Sequence, residues 1–172
     1  MRAALASFVL FGLGLPVAAQ AQTGAEFGAM AEACSALLAE GGFPPVSEET
    51  AFFSERGFVS AATSVQASKT TRTYTRSGTP MNPQQILVSR PSTSNGESCT
   101  AVDMNGSEAG DLLVSSIQAD AAWTAAGESN DQNGRGFLFE REAGDAMVHL
   151  SIWGTGAAYP VSIATYQIGT SD

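Results

Sequence analysis

Glu140 and His149 are the two side chains that the sequence can bring together for acid–base chemistry. They stand on either side of Gly144-Asp145, a pair typical of a β-hairpin turn, within two segments of alternating apolar residues. If Ala143 pairs with Ala146, Glu140 lies directly opposite His149. A carboxylate beside an imidazole suits the pair to general acid or base catalysis. The simpler interpretation is a cross-strand ion pair on a solvated sheet face.

The same hairpin register divides the other side chains between two faces. One face is predicted to be core, because it carries Phe137, Phe139, Val148, Leu150 and Ile152. The other face is mixed and includes Trp153, with Tyr166 of the last strand as a candidate neighbour. Exposed aromatic side chains are frequent in binding surfaces, so Trp153 is a candidate binding residue. A tryptophan partly covered by a helix is the commoner arrangement.

Arg72 and Arg76 form another candidate binding site. They share a predicted strand face with Tyr74, and Arg90 lies on the next predicted strand. This local positive charge in an acidic chain is suited to an anion. Charged side chains on an edge strand, which deter aggregation between sheets, explain the same pattern.

Metal and nucleotide sites are not predicted. The chain has one His and two widely separated Cys, too few for a structural zinc site or a two-His metalloprotease motif. The polar stretch 128–134 lacks the acidic spacing of a calcium-binding loop, and an ordinary polar loop explains it. We find no nucleophile elbow, no Ser-x-x-Lys motif and no phosphate-binding glycine loop. The sequence therefore predicts no metal, no cofactor and no established catalytic residue.

The spacing of apolar residues predicts the helices and strands that position these side chains. Apolar residues at helical spacing predict a helix over 25–40, a short helix from Ser47 and a third from about Asn105 towards Trp123. Predicted strands cover 71–76, 85–90, 98–104, 136–142, 146–153 and 161–168. A helical segment followed by three strands thus occurs twice. We expect an α+β fold, with an antiparallel sheet of about five to six strands and helices packed on one face.

Cys34 and Cys99 are the only cysteines, and an even number in an exported chain predicts one disulfide. Because Cys34 lies within the apolar stripe of the first helix, this bond would hold that helix against the element that carries Cys99.

The first residues have the features of a secretory signal. Met1 and Arg2 precede an uncharged apolar run that ends at Ala19-Gln20-Ala21, a small-residue cleavage pattern. We expect residues 1–21 to be a signal peptide and residues 22–172 to be a single α+β domain, periplasmic or secreted. No later apolar run is long enough to cross a bilayer, so no membrane insertion is expected after cleavage.

The charge balance limits the partners. Eight Lys and Arg face 17 Asp and Glu, giving a net charge of −9, and cleavage would remove Arg2 and make it one unit more negative. Such a chain repels nucleic acid and anionic membranes, whereas a basic protein or a small ligand is permitted. We predict a non-catalytic binding or accessory protein. The alternatives are a hydrolase or isomerase that uses Glu140 and His149, and an acidic inhibitor or immunity-type partner of a basic protein.

Overall fold

The computed structural model of the chain describes residues 17–92, 96–105, 108–131, 134–155 and 161–169, so residues 1–16 of the predicted signal peptide lie outside it. Within these ranges the chain forms three helices and eight strands. The helices are α1 (Val17–Leu37), α2 (Val46–Glu55) and α3 (Glu108–Ala119), and the strands are β1 (Val59–Val65), β2 (Lys69–Thr75), β3 (Gln84–Pro91), β4 (Ser98–Asp103), β5 (Thr124–Asp131), β6 (Gly134–Ala143), β7 (Ala146–Thr155) and β8 (Ser162–Gly169).

The eight strands form one antiparallel sheet in the order β1-β2-β3-β4-β8-β7-β6-β5. Strands β1–β4 and β5–β8 are two meanders, each preceded by helical structure. Their last strands, β4 and β8, pair at the centre of the sheet, where Ala101 lies opposite Ala164. A helical segment followed by four strands, rather than three, therefore occurs twice.

The predicted α+β fold with five to six strands is wrong, because the sheet has eight strands and the class is mostly β. The two strands that periodicity missed are the edge strands β1 and β5. Their sequences, VSAATSV and TAAGESND, lack an apolar alternation, and most of their residues are exposed. An edge strand pairs on one side only, so backbone hydrogen bonds can hold it without the apolar face that reveals a central strand.

The helices cover one face of the sheet. α1 packs on β3 and β4, α3 packs beside it on β7 and β8, and α2 packs on β1. Side chains of α1 such as Phe27, Met30 and Ala31 are fully buried against the sheet. The predicted disulfide is confirmed: Cys34 of α1 and Cys99 of β4 are bonded, with Cα atoms 5.4 Å apart, and both are completely buried.

The β6–β7 hairpin has the register that the sequence predicted, with Ala143 opposite Ala146 and Glu140 opposite His149. Four side chains of the predicted core face are buried under the helices, namely Phe139, Val148, Leu150 and Ile152. Phe137 is partly buried and packs against them. With Ala143, this hairpin supplies five of the twelve buried hydrophobic residues in the described strands.

The other face of the sheet, called the open face below, has no described helix or strand packed on it. Its two central rows of paired residues are uncharged. One row runs through Thr73, Leu87, Thr100, Thr165, Ser151 and Leu138, and the next runs through Gln85, Val102, Ile163 and Trp153. These side chains are partly exposed, and Leu138 is 45% exposed.

No helix in the described part of the chain has both the length and the hydropathy needed to span a membrane.

Candidate functional site

Glu140 and His149 meet on the open face, where Glu140 Oε1 lies 3.1 Å from His149 Nδ1. Both side chains are 42% exposed, so water screens their interaction. The other imidazole nitrogen, Nε2, faces the backbone of Gly169, where an added Cβ would lie only 2.2 Å away. Among the described residues no hydroxyl hydrogen-bonds to His149. The geometry is that of a solvated cross-strand pair, and the catalytic role of the two residues stays a prediction.

Trp153 also lies on the open face, between Gly136 of β6 and Ile163 of β8. Its ring covers Gly136, where an added Cβ would come within 2.8 Å of two ring carbons. The predicted neighbour, Tyr166, is on the opposite face, buried under the helices. No described helix covers Trp153, so its ring is partly available for contact.

The arginines of β2 and β3 have an internal counter-charge that the sequence analysis missed. Glu49 of α2 is completely buried and lies between Arg72 and Arg90. Arg90 Nε donates to Glu49 Oε2 at 3.0 Å, and Arg72 Nη1 lies 3.8 Å from Glu49 Oε1. Arg76 pairs with Glu26 of α1. Arg90 Nη1 also lies 3.5 Å from Glu97 Oε1, so the three arginines of this region are matched by three glutamates of the chain itself.

Tyr74 completes the contacts of Glu49, because its hydroxyl donates to Oε1 at 2.7 Å. Burial raises the pKa of Tyr74 to about 12; Thr50, whose hydroxyl lies 3.4 Å away, acts in the opposite direction, and Glu49 adds to the increase. The phenol therefore stays protonated and remains a donor at physiological pH. A glutamate in the first turn of a helix is usually exposed. The sequence position of Glu49 therefore did not indicate that it is buried and paired with arginines.

The polar stretch 128–134 belongs to the β5–β6 hairpin, with residues 132 and 133 outside the described ranges. Glu128 is paired with Arg135 rather than free to bind a cation. Across the described residues, no three His, Cys, Asp or Glu side chains are grouped to hold a metal ion.

A cavity of about 370 Å³ lies between α1, α3 and the sheet. Its α1 wall is the stripe Gly24, Gly28, Glu32 and Ser35, which is separate from the apolar stripe that packs on the sheet. The two glycines differ in their surroundings: a Cβ added at Gly28 would have no neighbouring atom within 4 Å, whereas one added at Gly24 would lie 3.0 Å from Leu112 Cδ1 of α3. The α3 wall is mainly apolar and the floor is aromatic and basic, with lining residues that include Leu112, Leu113, Ile117, Trp123, Arg141 and Tyr166.

Arg141 is the charged residue of the cavity floor. It projects from β6 on the helix-covered face and is partly buried, with its guanidinium carbon 4.7 Å from the centre of the Trp123 ring. Its Nη1 donates to Ser35 Oγ at 3.1 Å and its Nη2 to the Ser35 carbonyl at 3.2 Å.

No carboxylate of the described residues forms an ion pair with Arg141. In contrast, Arg72, Arg76, Arg90 and Arg135 each have a glutamate partner. The cavity therefore offers a positively charged group whose position is fixed by a neutral serine and an aromatic ring.

Two acidic residues also line the cavity. Glu32 and Asp120 are exposed residues, and Asp120 Oδ1 accepts a hydrogen bond from the Ala122 backbone at 2.9 Å. Burial raises the pKa of Tyr166, with Arg141 acting against the increase, so the phenol is neutral. Among the described residues of the lining, Arg141 is the basic one, and it is partly buried whereas the two acidic residues are exposed.

Sequence reasoning did not single out this cavity, although two signals were present. Arg141 occupies a core-facing position of the hairpin between Phe139 and Ala143, where a charged side chain needs a specific partner. Gly24 and Gly28, four residues apart, remove side chains from one face of a helix. Neither signal reveals that the two features lie together, because the pairing of α1 with β6 is a tertiary contact.

Comparison with known proteins finds no matching family model, no matching curated protein and no matching solved structure. No relative therefore supplies a function by resemblance.

Proposed function

We propose that this chain is an exported, non-catalytic binding protein that takes a small organic acid with an apolar body into the cavity between α1, α3 and the sheet. The observation that carries the proposal is Arg141, a partly buried guanidinium that lines the cavity and has no carboxylate partner among the described residues.

The charge of Arg141 argues for an anionic ligand. A buried charge is costly unless it is paired, and the acidic chain, with a net charge of −9, has supplied glutamates to its other inward-facing arginines. The planar guanidinium matches the two oxygens of a carboxylate, and stacking on Trp123 limits its rotation. A carboxylate of the ligand would pair with Arg141 as Glu49 pairs with Arg90.

The size and walls of the cavity argue for a small ligand with an apolar part. Its volume of about 370 Å³ is at the lower end of the range of roughly 300–1,000 Å³ found for small-molecule sites. Leu112, Leu113 and Ile117 line the α3 side. An aliphatic or aromatic carboxylate would bury its apolar atoms there while its charged end contacts the floor.

The proposal includes export of the chain from the cytoplasm. Residues 1–21 act as a signal peptide, and the mature domain works in the periplasm or after secretion. The buried Cys34–Cys99 bond supports an oxidising compartment, since structural disulfides persist there. Cleavage after Ala21 leaves Gly24, Gly28 and Ser35 in the mature chain, so the α1 wall of the cavity is retained.

The two alternative functions, a hydrolase or isomerase and an inhibitor or immunity-type partner of a basic protein, are not supported by an observation of this kind. The side chains of Glu140 and His149 are 42% exposed, and no hydroxyl of the described residues hydrogen-bonds to His149. For an inhibitor of a basic protein, the acidic charge alone does not mark one docking surface, because solubility explains it equally well.

The test is a thermal-shift measurement on the oxidised mature protein with small aliphatic and aromatic carboxylates, each compared with its primary amide. A ligand at 100 times its dissociation constant stabilises the folded state by about 2.7 kcal/mol. We expect carboxylates to raise the melting temperature and the amides, which lack the charge, to have little effect.

Two matched pairs of variants locate the site. Arg141→Gln should abolish the shift, whereas Arg135→Gln on the same strand should keep it. Gly28→Leu should block the cavity without loss of helix stability, and Ala36→Leu, an exposed position of α1, should bind normally. Carboxylate binding that survives both Arg141→Gln and Gly28→Leu would place the ligand elsewhere, and no shift with any carboxylate would refute the proposal.

A further inference from the structure

The open face is a second surface without an assigned role, on the side of the sheet opposite the cavity. We propose that it is the interface of a homodimer, in which two copies of the chain pack sheet against sheet.

The distribution of charge supports a second copy as the occupant. One residue in about seven is charged in this chain (15%), yet the ten residues of the two central rows include none. Two acidic chains repel each other wherever acidic surfaces meet, so association between copies is favoured only through a neutral surface. The two central rows of the open face are such a surface, with Leu87, Val102 and Ile163 adjacent at their centre, and the charged side chains of the face lie towards one end of the sheet.

The dimensions of the face suit a stable dimer. Eight strands spaced by about 4.8 Å span about 34 Å, and six residues along each strand span about 20 Å. The product, about 700 Å², is close to the roughly 800 Å² that each partner contributes to an interface of standard size. Two twisted sheets can pack face to face with their strands nearly aligned, as the two sheets of a sandwich do.

The charges at one end of the sheet fix the orientation of the two copies. Lys69 of β2 and Glu142 of β6 point to the open face and lie at the same end of the sheet, one row beyond the row that joins Thr71 to Glu140. Both residues are exposed. A twofold axis parallel to the strands brings β2 of each copy over β6 of the other. Lys69 of one copy then faces Glu142 of its partner, twice in the dimer.

The experiment is sedimentation equilibrium of the oxidised mature protein over a wide concentration range, with no ligand added. We expect twice the mass of one chain. Thr165→Lys, at the centre of the open face, should give a monomer with an unchanged circular dichroism spectrum, because its side chain is partly exposed and the face is otherwise uncovered. Met81→Lys, at a position 88% exposed outside the two rows, should remain dimeric.

A charge exchange tests the orientation. Lys69→Glu should weaken the dimer about tenfold, because it replaces two attractive pairs with two like-charge pairs. Glu142→Lys should do the same, and the two changes together should restore the dimer. A monomer at every concentration, or a dimer that Thr165→Lys leaves intact, would overturn the proposal. Because the cavity lies on the other side of the sheet, Thr165→Lys should still bind carboxylates, so failure of the dimer is distinguishable from failure of the proposed ligand site.

Discussion

Two buried polar side chains of this protein differ in how their hydrogen-bonding capacity is used. Glu49 is in contact with Tyr74, Arg72 and Arg90, so its charge is compensated by two guanidinium groups. Thr75 is equally buried, but its Oγ1 has no hydrogen-bond partner in the described structure. A buried hydroxyl without a partner loses its contact with water and gains nothing in return, whereas the paired carboxylate contributes to the fold.

Thr75→Val is therefore expected to increase the free energy of unfolding by about 1 kcal/mol, because it replaces the unpaired hydroxyl with a methyl group of similar size. Urea denaturation of the oxidised protein measures the change. Thr73→Val is the matched control: Thr73 is on the same strand and face but partly exposed, so its substitution should have little effect. A loss of stability in Thr75→Val would show that the hydroxyl is satisfied.

At the scale of elements, strands with an amphipathic pattern could be predicted from the sequence, whereas strands without such a pattern were missed. The β6–β7 hairpin alternates clearly, and its register and buried face follow from the sequence alone. The edge strands β1 and β5 carry small and polar residues, so their pairing depends on neighbouring strands and could not be read locally. The helix predicted to continue towards Trp123 ends at Ala119, where Asp120 caps a turn.

The same limit applies to the candidate sites. A strand pair can be predicted from alternation, and this is why Glu140 and His149 were correctly placed side by side. Glu49 with Arg90, and Arg141 with Ser35, join residues 41 and 106 positions apart. Which helix face meets which strand depends on packing in three dimensions, and one sequence gives no measure of it.

Glu49 also shows how α2 is attached to the sheet, because its contacts with Arg72, Tyr74 and Arg90 join the helix to β2 and β3. Glu49→Gln keeps an acceptor for Tyr74 but leaves the guanidinium of Arg72, 20% exposed, without its counter-charge, and that of Arg90, 18% exposed, with Glu97 alone. Removing one partner of a buried ion pair costs about 3 kcal/mol or more.

We expect Glu49→Gln to lose about 3 kcal/mol of unfolding free energy, measured by urea denaturation. The neighbouring Glu48→Gln is the control, since Glu48 is exposed and its substitution should change stability by less than about 0.5 kcal/mol. Equal stability of the two variants would mean that water and Glu97, rather than Glu49, compensate Arg72 and Arg90.

At the scale of the whole molecule, the disulfide joins the first helix to the centre of the sheet. α1 forms one wall of the cavity and contacts both α3 and β4, so its position sets the distance between the cavity walls. Cys99 lies opposite Tyr166 in the ladder, and Tyr166 is part of the cavity floor. One covalent bond thus holds the wall of the proposed ligand site over its floor.

Loss of this bond should lower stability more than any single substitution proposed above. Cys34 and Cys99 are separated by 65 residues, and closing a loop of that length reduces the entropy of the unfolded chain by an amount equivalent to about 4 kcal/mol. The double variant Cys34→Ala/Cys99→Ala should lose at least this much, because it also removes buried sulfur atoms. Reduced wild-type protein keeps the sulfur atoms, so the difference between the two samples in urea denaturation separates packing from chain entropy. A loss below about 1 kcal/mol in the reduced protein would show that the unfolded chain is already compact around residues 34–99, and that packing of α1 on β4 supplies most of the stability.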